Sequence, residues 1–403
     1  MKIVGIITEY NPFHHGHHYQ LQQAKLQTQA DVLVVLMSGN VVQRGEFAIL
    51  TKWQRSQLAL EYGADLVLEL PLLASMQSAD YFAQIGVELL SKVGCETIVF
   101  GTETANSDAI LAYVKWYKEH FDEVQDAIQR HLKTGISYAA AMQVAIDDIK
   151  EKSNIADWGF DTGSANHLLG IQYMLANLQL EHPMEVVAIP RINTVTSLSE
   201  TVRFENQDVG ILSGSQIRQA WWSGKLAIQS IPIKTLTAFK EGTAVRWEDY
   251  WPLLHYQLNC HTAESLRQVF GIKEGLEYLL LKKVNEARTF SEFRASLVSK
   301  RWTQSSIQRI LMAVLLNISY EEWEYYREKM AVQPAVRVLG YRPQGRKVLK
   351  ALREEPNLDL FSNFTQAYEE RYDLTIRADR ILCLNPRVTI EEQNYSKYPI
   401  QVT

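Results

Sequence analysis

Four short apolar runs in the first hundred residues, each separated from the next by one helical stretch, set the narrowest limit on how this chain folds. They are KIVGIIT (2–8), ADVLVVLMSG (30–39), ADLVLELP (64–71) and CETIVFG (95–101). Each is too short for a core helix, rich in Val, Ile and Leu, and closed at or near its end by a turn residue, which reads as a strand buried on both faces. Between them, HHYQLQQAKLQTQ, TKWQRSQLALEYG and SADYFAQIGVELLSKVG carry apolar residues at helical spacing, the last two ending on glycine. A β-α-β-α-β-α-β series predicts an α/β fold, a Rossmann-like parallel sheet with helices on both faces, whose ligands bind beyond the carboxyl ends of the strands. After a helical stretch at about 108–152, MEVVAIPR (184–191) reads as one more strand of that sheet.

From about 236 onward strand signals thin out and helical patterns such as SSIQRILMAVLLNI take over. The expected division is a nucleotide-binding catalytic part over 1–235 and a mainly α-helical, partly basic part over 236–403. A length of 403 residues accommodates two such cores. Three widely spaced cysteines imply neither a disulfide framework nor a thiolate metal site. The N-terminus lacks signal-peptide character, and no apolar run reaches the roughly 18–20 residues of a membrane span, so the expected location is cytoplasmic, with no membrane partner.

Charge is unevenly distributed. Residues 281–350 hold 14 Lys and Arg against 6 Asp and Glu, a local balance of +8 in a chain whose net charge is −5. That asymmetry points to one basic face; a solvated helix surface is the plainer alternative.

EYNPFHHGHHYQ (9–20) places four histidines around Gly16, after a strand and a short turn and before a helix. A helix N-terminus offers unpaired N–H groups and partial positive charge, so phosphate binds there readily. Gly16 permits close backbone approach, and His14 and His17, three apart, share one side of the first turn. Imidazole N–H groups so placed suit the charge that develops as pyrophosphate leaves a nucleotide. Metal ligation and simple capping are the competing readings; HHGHH lacks a four-apart pair on an established helix of the kind metalloprotease sites use, and no carboxylate-rich partner motif stands out. His15 and His18 receive no separate role.

Position and surroundings sharpen the motif. HHGH directly after a first strand, with SGSQIR (213–218) downstream, resembles the HIGH-motif nucleotidyltransferases, in which two histidines contact ATP phosphates and a Ser/Lys/Arg segment clamps the pyrophosphate. Those roles would fall on His14 and His17 and on Ser213, Ser215 and Arg218. Further stretches, among them VVLMSGNVVQRGEFAILTKWQRSQLAL, GADLVLELP, VFGTE, ANHLLGIQY, RWTQSSIQRILMAVLLNI and VRVLGYRPQGRKVL, are similar in the same order to the tRNA(Met) cytidine acetate ligase family.

The resemblance implies that ATP and acetate form acetyl-adenylate and that the acetyl group passes to the wobble cytidine of elongator tRNA(Met). Coenzyme A is not needed, and Mg2+ accompanies ATP. By the family pattern ATP is held by Ile7, Thr8, Glu9, Tyr10, Asn11, Pro12, Phe13, His14, His15, Gly16, His17, His18, Tyr19 and Gln20, and by Gly101, Asn166 and Arg191. Gln43, Arg44, Lys52 and Arg55 form a polar, basic insertion after the second strand, suited to the acyl-phosphate or to RNA. Lys52 is assigned to catalysis and the other three to RNA. In the basic region Arg301, Arg309, Arg342, Arg346 and Lys347 are expected on RNA, near Trp302 and Tyr341. The chain departs from the family at His167, where asparagine is usual, at Gly214, and in the loop after Arg191. A small-molecule adenylyltransferase would share the first motif without needing the basic helical part. An RNA-binding protein with an inactive nucleotide site is the third reading.

Overall fold

The computed structural model describes residues 1–103, 106–136, 138–153, 158–160, 165–191, 202–204, 207–209, 211–273, 275–299, 301–352 and 358–403. The loop 192–200 singled out above lies outside them. The strands are β1 (Ile3–Thr8), β2 (Val32–Ser38), β3 (Val41–Val42), β4 (Glu46–Phe47), β5 (Leu66–Leu70), β6 (Thr97–Thr102), β7 (Glu185–Pro190), β8 (Val202–Phe204), β9 (Gln207–Val209), β10 (Ala335–Tyr341), β11 (Asp359–Phe361) and β12 (Ile400–Gln401).

β1, β2, β5, β6 and β7 form the expected parallel sheet, in register from Ile3 opposite Val32 to Thr8 opposite Met37. Alternate side chains of each strand enter different cores. Val4, Ile6, Leu33, Val35 and Met37 belong to the core on the side of the first helix (His15–Thr28), while Ile7, Val34, Leu36 and Leu68 belong to the core on the other face, covered by the helices Ala79–Lys92 and Pro343–Ala351. Burial on both faces is why these runs are apolar at every position. The spatial order β11-β10-β5-β2-β1-β6-β7 reverses direction between β1 and β6. This switch point leaves an opening at the carboxyl edge of the sheet.

β10 is the departure from expectation, because a strand from the part of the chain expected to be mainly helical joins the main sheet. It pairs antiparallel with β5, with β11 and β12 along its other side. Its sequence, AVRVLGY, is disguised by Arg337 at its third position. That side chain is fully buried, donates to Asn394 Oδ1 at 3.0 Å and Asn394 O at 2.8 Å, and lies over the rings of Trp53 and Phe364.

The rest of the C-terminal region is helical. Trp247–Cys260, Leu276–Val284, Phe290–Leu297, Gln304–Leu315 and Tyr320–Val332 enclose a third core that includes Leu254, Phe293, Met312 and Trp323. Val41 and Phe47 of the β3–β4 hairpin are part of this core, so the hairpin fastens the helical region to the sheet. Among the described residues no helix is long and apolar enough to cross a membrane.

Candidate active site

A cleft of about 560 Å³ opens at the switch point, over the ends of β1, β6 and β7. Its floor is the segment that follows β1. His14 is the N-cap of the first helix, with extended backbone; its Nδ1 accepts from Gly16 N–H at 3.1 Å, and His17 Nδ1 accepts from His14 N–H at 3.3 Å. The two rings stack with centroids 3.7 Å apart. This is a capping box in which imidazoles replace the usual hydroxyl and carboxamide. Burial, and then the neighbouring cations Arg191 and, for His14, its fellow histidines, push both rings toward the neutral form, His17 down to about 3. A neutral ring whose Nδ1 accepts carries its hydrogen on Nε2, so each residue keeps one N–H donor beyond the cap.

A second helix, Gly214–Trp222, also starts at the cleft. Ser213 caps it, its Oγ 3.3 Å from Gln216 N–H and 3.1 Å from Ser215 Oγ. Arg218, one turn in, donates to Asn11 O at 2.5 Å and pairs with Glu46 at 3.1 Å. Gly214 is required by this approach, since a Cβ there would stand 2.8 Å from Asn11 O. Two helix N-termini, each with its partial positive charge, thus meet across the floor.

The remaining walls come from several elements. Glu9 Oε1 accepts from Gln43 N–H at 2.8 Å, which ties the β3–β4 hairpin to the floor. Among the described residues Gly101, at the end of β6, has only Arg191 Cγ and Gln20 Nε2 within 4 Å of where a Cβ would be, so the strand's backbone faces the cleft. Asn166 donates to Glu103, and His167 Nδ1 lies 3.6 Å from the same carboxylate.

Of the residues expected on ATP, all but Pro12, Phe13, His15 and His18 line the cleft, as do Ser213, Ser215, Arg218, Gln43 and Arg44. Phe13 is instead fully buried in the core against Tyr10 and Tyr62, and the His18 ring packs 4.7 Å from Tyr62. Sequence reasoning missed Glu46, Phe82, Phe100, Tyr173 and Ser305 in the lining. Phe100 alone had a signal, its place next to Gly101 at a strand end.

Two expectations are corrected. Lys52 is fully buried away from the cleft, its Nζ 2.8 Å from Glu69 Oε1 and 2.7 Å from Asp379 Oδ2. Arg55 is also fully buried, donating to the carbonyls of Glu9 (2.6 Å), Ser38 (3.0 Å), Gly39 (2.5 Å) and Leu50 (3.0 Å). A fully buried guanidinium with four of its five N–H donors on backbone carbonyls is out of reach of RNA, and it holds the backbone of the floor instead.

The basic residues separate into two places. Arg309, mostly buried, donates to Gln43 O at 3.5 Å beside the cleft; Arg301 is exposed over half-buried Trp302. Arg342, Arg346 and Lys347 belong to the start of the helix Pro343–Ala351, where Arg342 N–H donates to Asp65 O at 2.8 Å, at the amino edge of the sheet. Among the described residues no group of three or more His, Cys, Asp or Glu is arranged to hold a metal ion.

A Rossmann-like sheet with paired imidazole donors and two helix N-termini at its switch point defines a nucleotidyltransferase of the HIGH type. The family model described as HIGH Nucleotidyl Transferase matches residues 1–397. The tRNA(Met) cytidine acetate ligase of Latilactobacillus sakei is 35% identical over 409 residues, covering 99% of this chain and 97% of its own. That of Bacillus subtilis is 32% identical over 413 residues, covering 100% and 97%. A crystal structure of Thermotoga maritima TmcAL bound with alpha-thio ATP aligns over 100% of both chains, with a TM-score of 0.85 and 25% identity. The chain belongs to the tRNA(Met) cytidine acetate ligase family.

Proposed function

We propose that the protein joins acetate to ATP, forming acetyl-adenylate and pyrophosphate, and transfers the acetyl group to N4 of the wobble cytidine of elongator tRNA(Met). The product is N4-acetylcytidine. The observation that carries this reading is the convergence of the His14–His17 capping box and the Ser213-capped helix on one cleft, in a chain similar along its whole length to ligases of that name.

The roles follow from the donors. An acetate oxygen attacks the α-phosphorus while the bond to pyrophosphate breaks, and negative charge accumulates on the departing oxygens. The Nε2–H groups of His14 and His17, being neutral, stabilise that charge without first losing a proton, and helix N–H groups and Arg191 add to it. Ser213, Ser215 and Arg218 hold the pyrophosphate end. Gly101 lets the nucleoside lie against backbone, and Asn166 offers its carboxamide to a base edge. Mg2+ would accompany ATP and would neutralise part of the charge on its phosphates. The adenylate is itself the activated acyl group, so neither coenzyme A nor a covalent nucleophile is required.

The test is incubation with ATP, carbon-labelled acetate and elongator tRNA(Met), with coenzyme A omitted, followed by nuclease digestion. Labelled N4-acetylcytidine is the expected product. Absence of both that product and acetate-dependent pyrophosphate exchange overturns the reading.

A further inference from the structure

Acetyl transfer needs a destination for a proton, which the phosphate-binding groups do not provide. As the N4 lone pair bonds to the acetyl carbonyl carbon, the carbon–oxygen bond to AMP breaks with its electrons remaining on the phosphate. One N4 proton must also leave.

The described cleft lining contains no lysine and no cysteine. Both imidazoles have Nδ1 occupied by a backbone N–H and Nε2 occupied by hydrogen, so neither has a free lone pair. The lining's hydroxyls, on Thr8, Tyr10, Tyr19, Tyr173, Ser213, Ser215 and Ser305, are weaker proton acceptors than a carboxylate, and burial further keeps the Tyr10 and Tyr173 phenols protonated. Two carboxylates remain. Glu46 is neutralised by Arg218 at 3.1 Å and also accepts from Asn11 at 3.3 Å. Among the described residues Glu9 has no ion pair within 4 Å; its Oε1 accepts the Gln43 N–H, and its backbone carbonyl is fixed by Arg55.

We infer that Glu9 is the catalytic base that accepts the N4 proton during acetyl transfer, an assignment that rests on the reaction proposed above. Its location suits the task. It lies between the motif helix, to which the proposed function assigns the adenylate's phosphate, and the β3–β4 hairpin with Arg44, on the side where the helical region meets the cleft. Held through backbone and side chain, it needs no rearrangement to act. The charged and titratable groups that face it are Glu46 and Arg44 on the hairpin, Arg218, Arg55, Tyr173, Arg191, His14 and His17. Burial raises its carboxyl above the ordinary range; the Gln43 N–H opposes this, Glu46 adds to it, and Arg44 and Arg218 lower it. A raised carboxyl is a stronger proton acceptor near neutrality.

The experiment mixes enzyme carrying labelled acetyl-adenylate with tRNA and follows one turnover from pH 5.5 to 8.5. Transfer is scored per bound adenylate, so any change in forming the adenylate divides out; acetyl-adenylate supplied directly serves a variant that forms little. In the native protein, transfer rises with pH as Glu9 loses its proton and then levels. Glu9→Gln, which keeps the Oε1 acceptor for Gln43 N–H, slows transfer about 100-fold or more and abolishes the rise. Transfer within a few-fold of native in Glu9→Gln, with the same rise, overturns the inference. So does native transfer that falls with increasing pH, a result that needs no variant. Failure of the native protein to form labelled adenylate overturns the proposed function and the inference together.

Discussion

Burial keeps both motif imidazoles uncharged, which affects stability as well as chemistry. Each folded-state pKa is depressed, that of His17 to about 3, against roughly 6.5 in the unfolded chain. Below pH 6.5 the unfolded chain therefore takes up protons that the folded chain refuses. The stabilisation is complete above pH 6.5 and is lost as pH falls toward 3. Urea unfolding at pH 7.5 and 5.0 should show a pH-dependent loss that shrinks by roughly 1–2 kcal/mol in His17→Gln; parallel losses in the two proteins would refute the assignment. His17→Ala should also reduce ATP–pyrophosphate exchange about 100-fold, as expected for one preorganised donor, and exchange within a few-fold of native would remove the phosphate role. Gly214 makes a prediction of the opposite sign to propensity. Alanine is the better helix former by about 1 kcal/mol, yet its methyl would meet Asn11 O at 2.8 Å, the atom that Arg218 holds. Overpacking costs about 1–3 kcal/mol, so Gly214→Ala should lower stability and weaken ATP binding; thermal unfolding and ATP titration decide it, and a stabilised variant with native ATP affinity would show that the helix can shift freely.

At the scale of elements, what the sequence revealed follows from what each element buries. Strands apolar on both faces and helices ending on glycine could be read directly, and the phosphate-binding turn was readable because its histidines, glycine and following helix are contiguous. β10 was hidden by Arg337, whose partners Asn394 and Trp53 lie far away in the chain. Lys52 was misread for the same reason. A lysine beyond a strand's carboxyl end resembles a ligand until its counter-charges are known, and they come from 17 and 327 residues away. The misreading is testable. Lys52→Met leaves Glu69 and Asp379 buried without their cation, a loss of about 3–5 kcal/mol. The variant should unfold at markedly lower urea concentration, yet at a temperature where it remains folded it should form adenylate at a rate within a few-fold of native. A native unfolding midpoint with a large rate loss would restore Lys52 to the chemistry.

Across the whole molecule, the helical region and the sheet share a hairpin, a strand and a buried ion cluster, so any RNA that reaches the cleft meets one continuous body. The cleft opens at the carboxyl edge between β1 and β6, whereas the chain leaves β10 at the amino edge, where Tyr341 pairs with Leu66. The helix Pro343–Ala351 must then return toward the carboxyl edge, because β11 begins opposite Ala335. Arg346, Lys347 and Lys350 along that helix line an open groove of about 890 Å³ with Tyr341 and Asp359. Three strand spacings separate β1 from β10, roughly 15 Å, so this groove cannot contact the nucleotide whose base enters the cleft. It can contact only a more distant part of the same RNA, whereas Arg309 stands beside the cleft. Arg346→Ala with Lys347→Ala should therefore weaken binding of full-length tRNA and lower its salt slope by roughly 1–2, while an isolated anticodon stem-loop binds as to the native protein. Arg309→Ala should weaken both ligands. Equal losses on tRNA and stem-loop in the double variant would place the groove on the anticodon itself and refute a footprint that passes around the edge of the sheet.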